Sequence, residues 1–183
     1  MLATNLAASL ALAGQRVLLV DADMRRPAVH KVFGAKQEPG LSNVLVGNAK
    51  AGETIRRTSI PNLWILPAGH RAPNPPELLG SDRFRKLMAV SGEHFDWVML
   101  DAPPIMPVTD ACVVAHGVGG VLFVVGAEMV TRQAARYALE QLNGVHAKVV
   151  GAILNHVDLD RNAYYYTPYY HRKNDEYYLN KQA

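Results

Sequence analysis

Two aspartates one residue apart, followed by two arginines, are the residues of this sequence best suited to chemistry. Asp21 and Asp23 come directly after the apolar run at 17–20, and Arg25 and Arg26 follow them. Carboxylates in this position can hold Mg²⁺ through water or accept the proton of an attacking hydroxyl. Arginine guanidinium groups can grip phosphate oxygens or stabilise developing negative charge. The alternatives are loop acids that only form salt bridges with these arginines, and arginines that lie at a subunit contact.

A second acid-tipped apolar run strengthens the functional interpretation. Residues 97–101 read WVMLD and end at Asp101, with two prolines soon after. Buried parallel strands have such apolar runs, and ligands of open α/β sheets gather at the carboxyl ends of the strands. Asn155 ends a further apolar run and could hydrogen-bond a nucleotide base, although a strand-ending turn residue explains it nearly as well. Two acid-tipped strands together predict a metal and nucleotide site.

The elements that must position these residues alternate between strand and helix patterns. Strand patterns lie at 17–20, 63–66, 97–101, 120–125 and 148–154, and helix patterns lie at 2–12, 41–46, from 82, 110–116 and from 131. Ser81 or Asp82 and Thr131 are predicted helix caps. Such alternation predicts an α/β fold with a doubly wound, mainly parallel sheet.

Composition favours one ordinary globular domain with a separate tail. The chain has 183 residues, 49% of them apolar, and a net charge of +3, which is too small an excess to argue for a nucleic-acid partner. A single cysteine, Cys112, excludes an internal disulfide. We expect a folded domain at 1–157 and a flexible tail at 158–183.

The tail is rich in tyrosine and poor in aliphatic residues. Seven of the eight tyrosines lie there, at Tyr164, Tyr165, Tyr166, Tyr169, Tyr170, Tyr177 and Tyr178. Adjacent tyrosines have no consistent buried face, so core packing is disfavoured. A stacking platform for single-stranded nucleic acid and a cluster of phosphate acceptors both remain open from the residues alone.

These motifs together resemble those of the bacterial tyrosine autokinases (BY-kinases) of capsule and exopolysaccharide production. The segment VLLVDADMRRP resembles their Walker A′ motif, WVMLDAPP resembles their Walker B motif, and PAGHRAPNPPELL resembles their PNPxELL loop. The tail resembles their tyrosine cluster. Paired aspartates alone are shared with MinD/ParA-like ATPases, but the loop and the tail make the kinase resemblance specific.

The resemblance implies a P-loop NTPase-like fold and an ATP- and Mg²⁺-dependent kinase that phosphorylates the seven tail tyrosines of a neighbouring copy. Asp21 and Asp23 match the Walker A′ aspartates, and Asp101 matches the Walker B aspartate. The resemblance therefore implies that these three residues form the catalytic and metal-binding site. The implied partners are other copies of the chain in a ring and a transmembrane chain-length regulator, fused or separate. The implied location is the cytoplasmic face of the cell membrane.

The sequence departs from this family pattern in one place. The family begins with a strand and a GxGK[ST]T phosphate loop, followed by a helix with an NLA-like segment. Asn5-Leu6-Ala7 matches that segment and aligns Met1 with the end of the loop. The loop lysine and the first strand are therefore expected upstream, and without them ATP and Mg²⁺ binding would be weakened or lost. We expect no autophosphorylation from these 183 residues alone.

Two other functions remain open. One is a non-catalytic, tyrosine-bearing regulatory subunit or substrate of an intact kinase. The other is a MinD/ParA-like ATPase, against which the tyrosine tail argues.

Overall fold

The computed structural model describes residues 2–158, which form a mixed α/β fold. Its strands are β1 Val17–Asp21, β2 Arg56–Arg57, β3 Leu63–Leu66, β4 Trp97–Asp101, β5 Val121–Gly126 and β6 Val149–Asn155. Its helices are α1 Leu2–Leu12, α2 Val29–Val32, α3 Leu41–Val46, α4 Ala51–Thr54, α5 Pro75–Leu79, α6 Asp82–His94, α7 Asp110–His116 and α8 Arg132–Gly144. Residues 2–158 contain no helix long and apolar enough to cross a lipid bilayer.

The strands form two sheets, and most neighbouring strands are parallel. The first sheet has the order β2-β3-β1-β4, and the second consists of β5 and β6. Strands β3, β1 and β4 run parallel, whereas β2 is antiparallel to β3. The predicted mainly parallel α/β fold is confirmed. Strand β2 and the short helices α2 and α4 were not predicted, because two to four residues carry too little periodicity.

Strand β1 is the centre of the larger sheet and is buried along its whole length. Its side chains alternate between two hydrophobic clusters. Leu18 and Val20 pack with residues of α3, α5 and α6 on one face, while Val17 and Leu19 pack with α1 on the other. This is why the strand reads as a continuous apolar run in the sequence.

The smaller sheet is covered less completely. Phe123 of β5 packs with Ala138 and Leu142 of α8. On the opposite face, Leu122 and Val124 remain 38% and 43% exposed. Parallel strands are normally covered on both faces, so this apolar face lacks a cover within residues 2–158.

Strands β4 and β5 each have a neighbour on one side only. Within the described part of the chain, β4 pairs with β1 and β5 pairs with β6, and no strand joins the two sheets. Trp97 at the start of β4 is 50% exposed. Strand β6 also pairs with β5 alone, so three parallel strands of the described residues have an unpaired edge, which is unusual in an α/β fold.

The predicted helix caps agree with the structure. Ser81 Oγ accepts a hydrogen bond from the Phe84 amide, 3.2 Å away, at the start of α6. Thr131 Oγ1 does the same for the Ala134 amide at the start of α8, also at 3.2 Å. Each side chain satisfies a backbone donor that the first helical turn leaves free.

Candidate active site at the carboxyl ends of β1 and β4

The site begins with two aspartates that end neighbouring strands. Asp21 is the last residue of β1 and is paired in register with Asp101, the last residue of β4. Beyond this pair, the amide of Ala22 donates to the main-chain oxygen of Asp101 at 2.8 Å. The first residue of the loop after β1 is therefore still fixed to β4, and Asp23 follows one residue later.

Asp21 is fully buried, and its two carboxylate oxygens have different surroundings. Its Oδ2 accepts hydrogen bonds from the amides of Ala28 and Val29, both at 3.0 Å. Its Oδ1 is buried without a hydrogen-bond partner. Burial raises the pKa of Asp21 to about 6, with a smaller contribution from the charge of Asp101, although the backbone donors oppose this rise. An unpartnered, buried carboxylate oxygen is costly unless a ligand uses it.

Asp23 folds the loop that follows β1. Its Oδ1 accepts hydrogen bonds from the amides of Arg25, at 3.0 Å, and Arg26, at 2.9 Å. This is a local aspartate turn, in which a side chain takes the place of a backbone acceptor. Burial also raises the pKa of Asp101, and the nearby charge of Asp23 adds to the effect. The three predicted carboxylates are therefore in electrostatic contact.

These carboxylates fit a magnesium ion only in part. Among residues 2–158, no group of three or more histidine, cysteine or acidic side chains is assembled as a metal site. Mg²⁺ commonly takes one or two carboxylates and completes its shell with water and substrate phosphates. The free Oδ1 of Asp21 beside Asp101 suits that arrangement. The metal role of Asp21, Asp23 and Asp101 stays a prediction.

The two arginines after Asp23 have different surroundings. The Arg25 guanidinium forms a two-pronged ion pair with Asp110, with Nε–Oδ2 and Nη2–Oδ1 distances of 2.8 and 3.0 Å. Asp110 raises the pKa of Arg25 through these bonds. Arg26 is exposed. The phosphate-stabilising role of Arg25 and Arg26 stays a prediction.

Asp110 was not among the predicted site residues. It is the first residue of α7 and is 0% exposed. The sequence shows only an acid at a helix start, where acids are common. Its contact with Arg25 spans 85 positions, which no local pattern reveals.

Helix α1 directs its amino terminus toward the same edge of the sheet. It packs against β1, β3 and β4 and leads into β1 through a short turn, so the helix and the strand run in opposite directions. Its first residue, Leu2, therefore lies near the carboxyl ends of the strands. The free amides of a helix amino terminus favour phosphate groups.

The glycine and proline motif lies after β3. Gly69 has a φ of 82°. A Cβ added to Gly40 would lie only 2.3 Å from the amide nitrogen of Gly69. Gln37 Nε2 also donates to the oxygen of Gly69 at 2.7 Å. We call this close approach of the loops at 37–43 and 67–70 the glycine clasp; α5 begins five residues after it, at Pro75.

Asn155 and the seven tail tyrosines are the remaining predicted site residues. Asn155 is the last residue of β6, and its main-chain oxygen accepts a hydrogen bond from the Ala127 amide at 2.7 Å. Its base-binding role stays a prediction. All seven tail tyrosines lie outside the described residues.

The fold defines a class of α/β proteins with a mainly parallel sheet, and comparison with known proteins agrees. A family model described as an AAA domain matches residues 1–150. The cell division ATPase MinD of Pyrococcus furiosus, 23% identical, superimposes with a TM-score of 0.69 over 85% of this chain and 67% of that one. At this identity, the likeness concerns the fold alone.

Relatives with higher sequence identity show which family within this class the chain belongs to. Tyrosine-protein kinase CpsD of Streptococcus agalactiae serotype Ia is 39% identical over 155 residues, which cover 84% of this chain and 67% of the relative. The kinase domain of Escherichia coli tyrosine kinase ETK is 35% identical, with a TM-score of 0.82 over 85% of this chain and 61% of that one. The chain belongs to the bacterial tyrosine autokinase family of capsule and exopolysaccharide biosynthesis. It spans only about a fifth of several longer members.

Proposed function

We propose that this chain carries the catalytic carboxylates of an ATP-dependent tyrosine autokinase that regulates capsule or exopolysaccharide synthesis and export. The observation that carries the proposal is the pairing of Asp21 with Asp101 at the ends of two parallel strands, with one buried Asp21 oxygen free. Family membership supplies the reaction class. Mg²⁺ would be held by Asp21 and Asp101 and would neutralise charge on the phosphates.

The proposed reaction transfers one phosphoryl group. A tail tyrosine loses its phenolic proton to one of the Walker A′ aspartates, Asp21 or Asp23. The phenolic oxygen then forms a bond to the γ-phosphorus of ATP, and the bond from that phosphorus to the β–γ bridging oxygen breaks. ADP and phosphotyrosine are the products. Positioning and charge stabilisation, rather than covalent chemistry, carry most of the catalysis in such transfers.

The groups that bind the ATP phosphates are proposed to lie on a strand and loop that dock between β4 and β5. The support is the unpaired edge of each of these strands and the amino terminus of α1 at the same end of the sheet. A parallel strand placed there would join the two sheets into one. Its carboxyl end would emerge beside Asp101, so a GxGK[ST]T loop in that position would meet the start of α1.

Partners and location follow from the family and are proposals for this chain. Copies of the chain would assemble in a ring, in which the tail of one copy reaches the site of the next. A transmembrane chain-length regulator would hold the kinase at the inner face of the membrane. Accumulated phosphate on the tail would drive the copies apart by charge repulsion.

The test compares the 183-residue chain with a version that carries an added apolar strand and GxGK[ST]T loop before residue 1. With Mg²⁺ and radiolabelled ATP, we expect phosphotyrosine only in the extended version. Asp21→Asn or Asp23→Asn should abolish the labelling, and replacement of all tail tyrosines by phenylalanine should remove the acceptors. Strong tail labelling in the Asp21→Asn/Asp23→Asn double variant would refute the assigned roles.

A non-catalytic regulatory subunit is the second candidate. The observation that favours it is the tyrosine-rich sequence at 164–178, because a substrate of another kinase needs only acceptor tyrosines. If the extended version binds ATP but never labels itself, while an intact kinase of the family labels its tail, this second function is correct.

A further inference from the structure

One ion pair joins the two acid-bearing loops of the site. Arg25 lies in the loop after β1, and Asp110 begins α7 after the loop that follows β4. The fork uses Nε and Nη2 of the arginine and both oxygens of the aspartate. Two parallel hydrogen bonds fix the orientation of the guanidinium as well as its distance.

The burial of the two partners is unequal. The Asp110 side chain is 0% exposed, whereas that of Arg25 is 40% exposed. A buried carboxylate must be compensated, and Arg25 occupies both of its oxygens. Because the Asp110 carboxylate has no access to solvent as an alternative partner, it holds the Arg25 side chain against α7.

The other end of Arg25 acts on Asp23. The Arg25 amide donates to Asp23 Oδ1, and the amide of the next residue, Arg26, donates to the same oxygen. Asp110 thus fixes the Arg25 side chain, and the Arg25 backbone fixes the Asp23 carboxylate. Each link in this series is a direct hydrogen bond.

We propose that Asp110 is a positioning residue for Asp23, acting through Arg25, so that the Walker A′ loop and the loop after Asp101 keep a fixed relation. The proposal rests on the proposed role of Asp23 at the metal and phosphate site. Residues that orient a ligand carboxylate typically change metal affinity tenfold or more when removed.

The chain offers a matched control at the other end of the same two strands. Arg16 precedes β1 and Asp96 precedes β4, and their side chains form a similar fork that includes a 2.7 Å Nη2–Oδ1 contact. Asp96→Asn makes the same chemical change as Asp110→Asn, but it lies far from the carboxylates of the site. It therefore separates a local effect on Asp23 from a general effect on the sheet.

The test measures the loop directly in the 183-residue chain. We expect Asp110→Asn to raise the hydrogen-exchange rates of the Arg25 and Arg26 amides about tenfold, since a charge-assisted hydrogen bond is loosened. The amide of Leu19 in β1 should change less than twofold. Asp96→Asn should leave Arg25 and Arg26 unchanged. Equal acceleration of Leu19 in Asp110→Asn, or no acceleration at Arg25 and Arg26, would overturn the proposal.

A second measurement uses Mn²⁺ alone, followed by electron paramagnetic resonance. Asp110→Asn should weaken Mn²⁺ binding about tenfold, and Asp96→Asn should not. If the version extended by the strand and GxGK[ST]T loop binds no Mn²⁺ either, the metal role in the proposed function fails, while amide exchange still decides whether Asp110 positions Asp23.

A double-variant cycle tests the route through Arg25. In an Arg25→Gln background, Asp110→Asn should add less than a twofold change in the Arg26 exchange rate, because the link is already lost. A full tenfold additional change would show that Asp110 acts on the loop by another path and would refute the proposal. Global unfolding, monitored by circular dichroism, identifies any variant whose effect is loss of fold.

Discussion

Asp21 and Asp101 are register partners at the carboxyl ends of the parallel strands β1 and β4, and both carboxyl groups are partly or fully removed from solvent. Burial raises the pKa of both carboxyls, and the charge of Asp101 contributes to the rise at Asp21. A cation bound between them would favour the charged form of both carboxyl groups.

The pH dependence of stability should reveal Asp21. Its pKa is about 6 in the folded state and near 3.8 when unfolded, so the folded state holds the proton more tightly. The resulting stabilisation is present below about pH 4 and is lost as pH rises through 6. Asp21→Asn cannot titrate at this position and so lacks this loss. The free energy of unfolding of the variant minus that of wild type should therefore rise by about 2 kcal/mol from pH 4.5 to pH 7.5. Urea unfolding at both pH values measures it.

Asp96 provides a control of opposite sign for that experiment. Arg16 lowers the pKa of Asp96 to about 2, so its stabilisation is present above about pH 4 and is lost as pH falls toward 2. Asp96→Asn should therefore lose stability relative to wild type at neutral pH and recover it in acid. Identical pH profiles for wild type and Asp21→Asn would contradict the assigned pKa.

Removing Asp101 should change the titration of Asp21. Asp101→Asn deletes a negative charge next to the Asp21 carboxyl, so the pKa of Asp21 should fall from about 6. Carbon-13 NMR of the side-chain carboxyl carbons measures this directly. Asp96→Asn should leave the Asp21 titration where it was. An unchanged titration in Asp101→Asn would show that burial alone sets the pKa.

The glycine clasp should be sensitive to a single methyl group. At Gly69, φ is 82°, and an added Cβ would lie 2.5 Å from Ser42 Oγ and 2.6 Å from Asn43 Oδ1. Gly69→Ala should destabilise the fold by about 1–3 kcal/mol, through backbone strain and these overlaps. Gly92 in α6 has nothing within 4 Å of its added Cβ. Gly92→Ala should instead stabilise by about 0.5–1 kcal/mol. Chemical denaturation of both variants provides the measurement, and similar effects of the two would disprove the clasp.

The uncovered apolar face of β5 should promote self-association. Val124 is 43% exposed there, and Val124→Lys should reduce concentration-dependent association of the 183-residue chain with little loss of stability. Val90, 51% exposed on helix α6, is the matched position for Val90→Lys. Sedimentation velocity should show a shift toward monomer for Val124→Lys only. An equal shift in both variants would point to net charge rather than to this face.

Local sequence patterns predicted the longer helices and strands but not the short β2, α2 and α4, and they did not predict the long-range contacts. The acid-tipped runs placed Asp21 and Asp101 correctly, because a buried parallel strand must be apolar and its ligand end must be polar. The contact of Arg25 with Asp110 joins residues 85 positions apart and leaves no periodic trace. Helix α1 gives a subtler example. Its leucines mark the helix, yet its buried residues are Thr4, Ala7 and Ala11, because small side chains let it approach the sheet closely.

The two arginine–aspartate forks fix the alignment of the central strands. Arg16 and Asp96 join β1 to β4 at their amino ends, and Arg25 and Asp110 join the segments that follow their carboxyl ends. Because the first pair is partly exposed, solvent screens its contribution to the free energy of unfolding. However, sliding one strand by a single residue, about 3.3 Å, would stretch both forks at once and turn every side chain to the opposite face. The same geometry that protects the core from a slipped alignment therefore sets how far apart Asp21 and Asp101, the proposed catalytic carboxylates, lie.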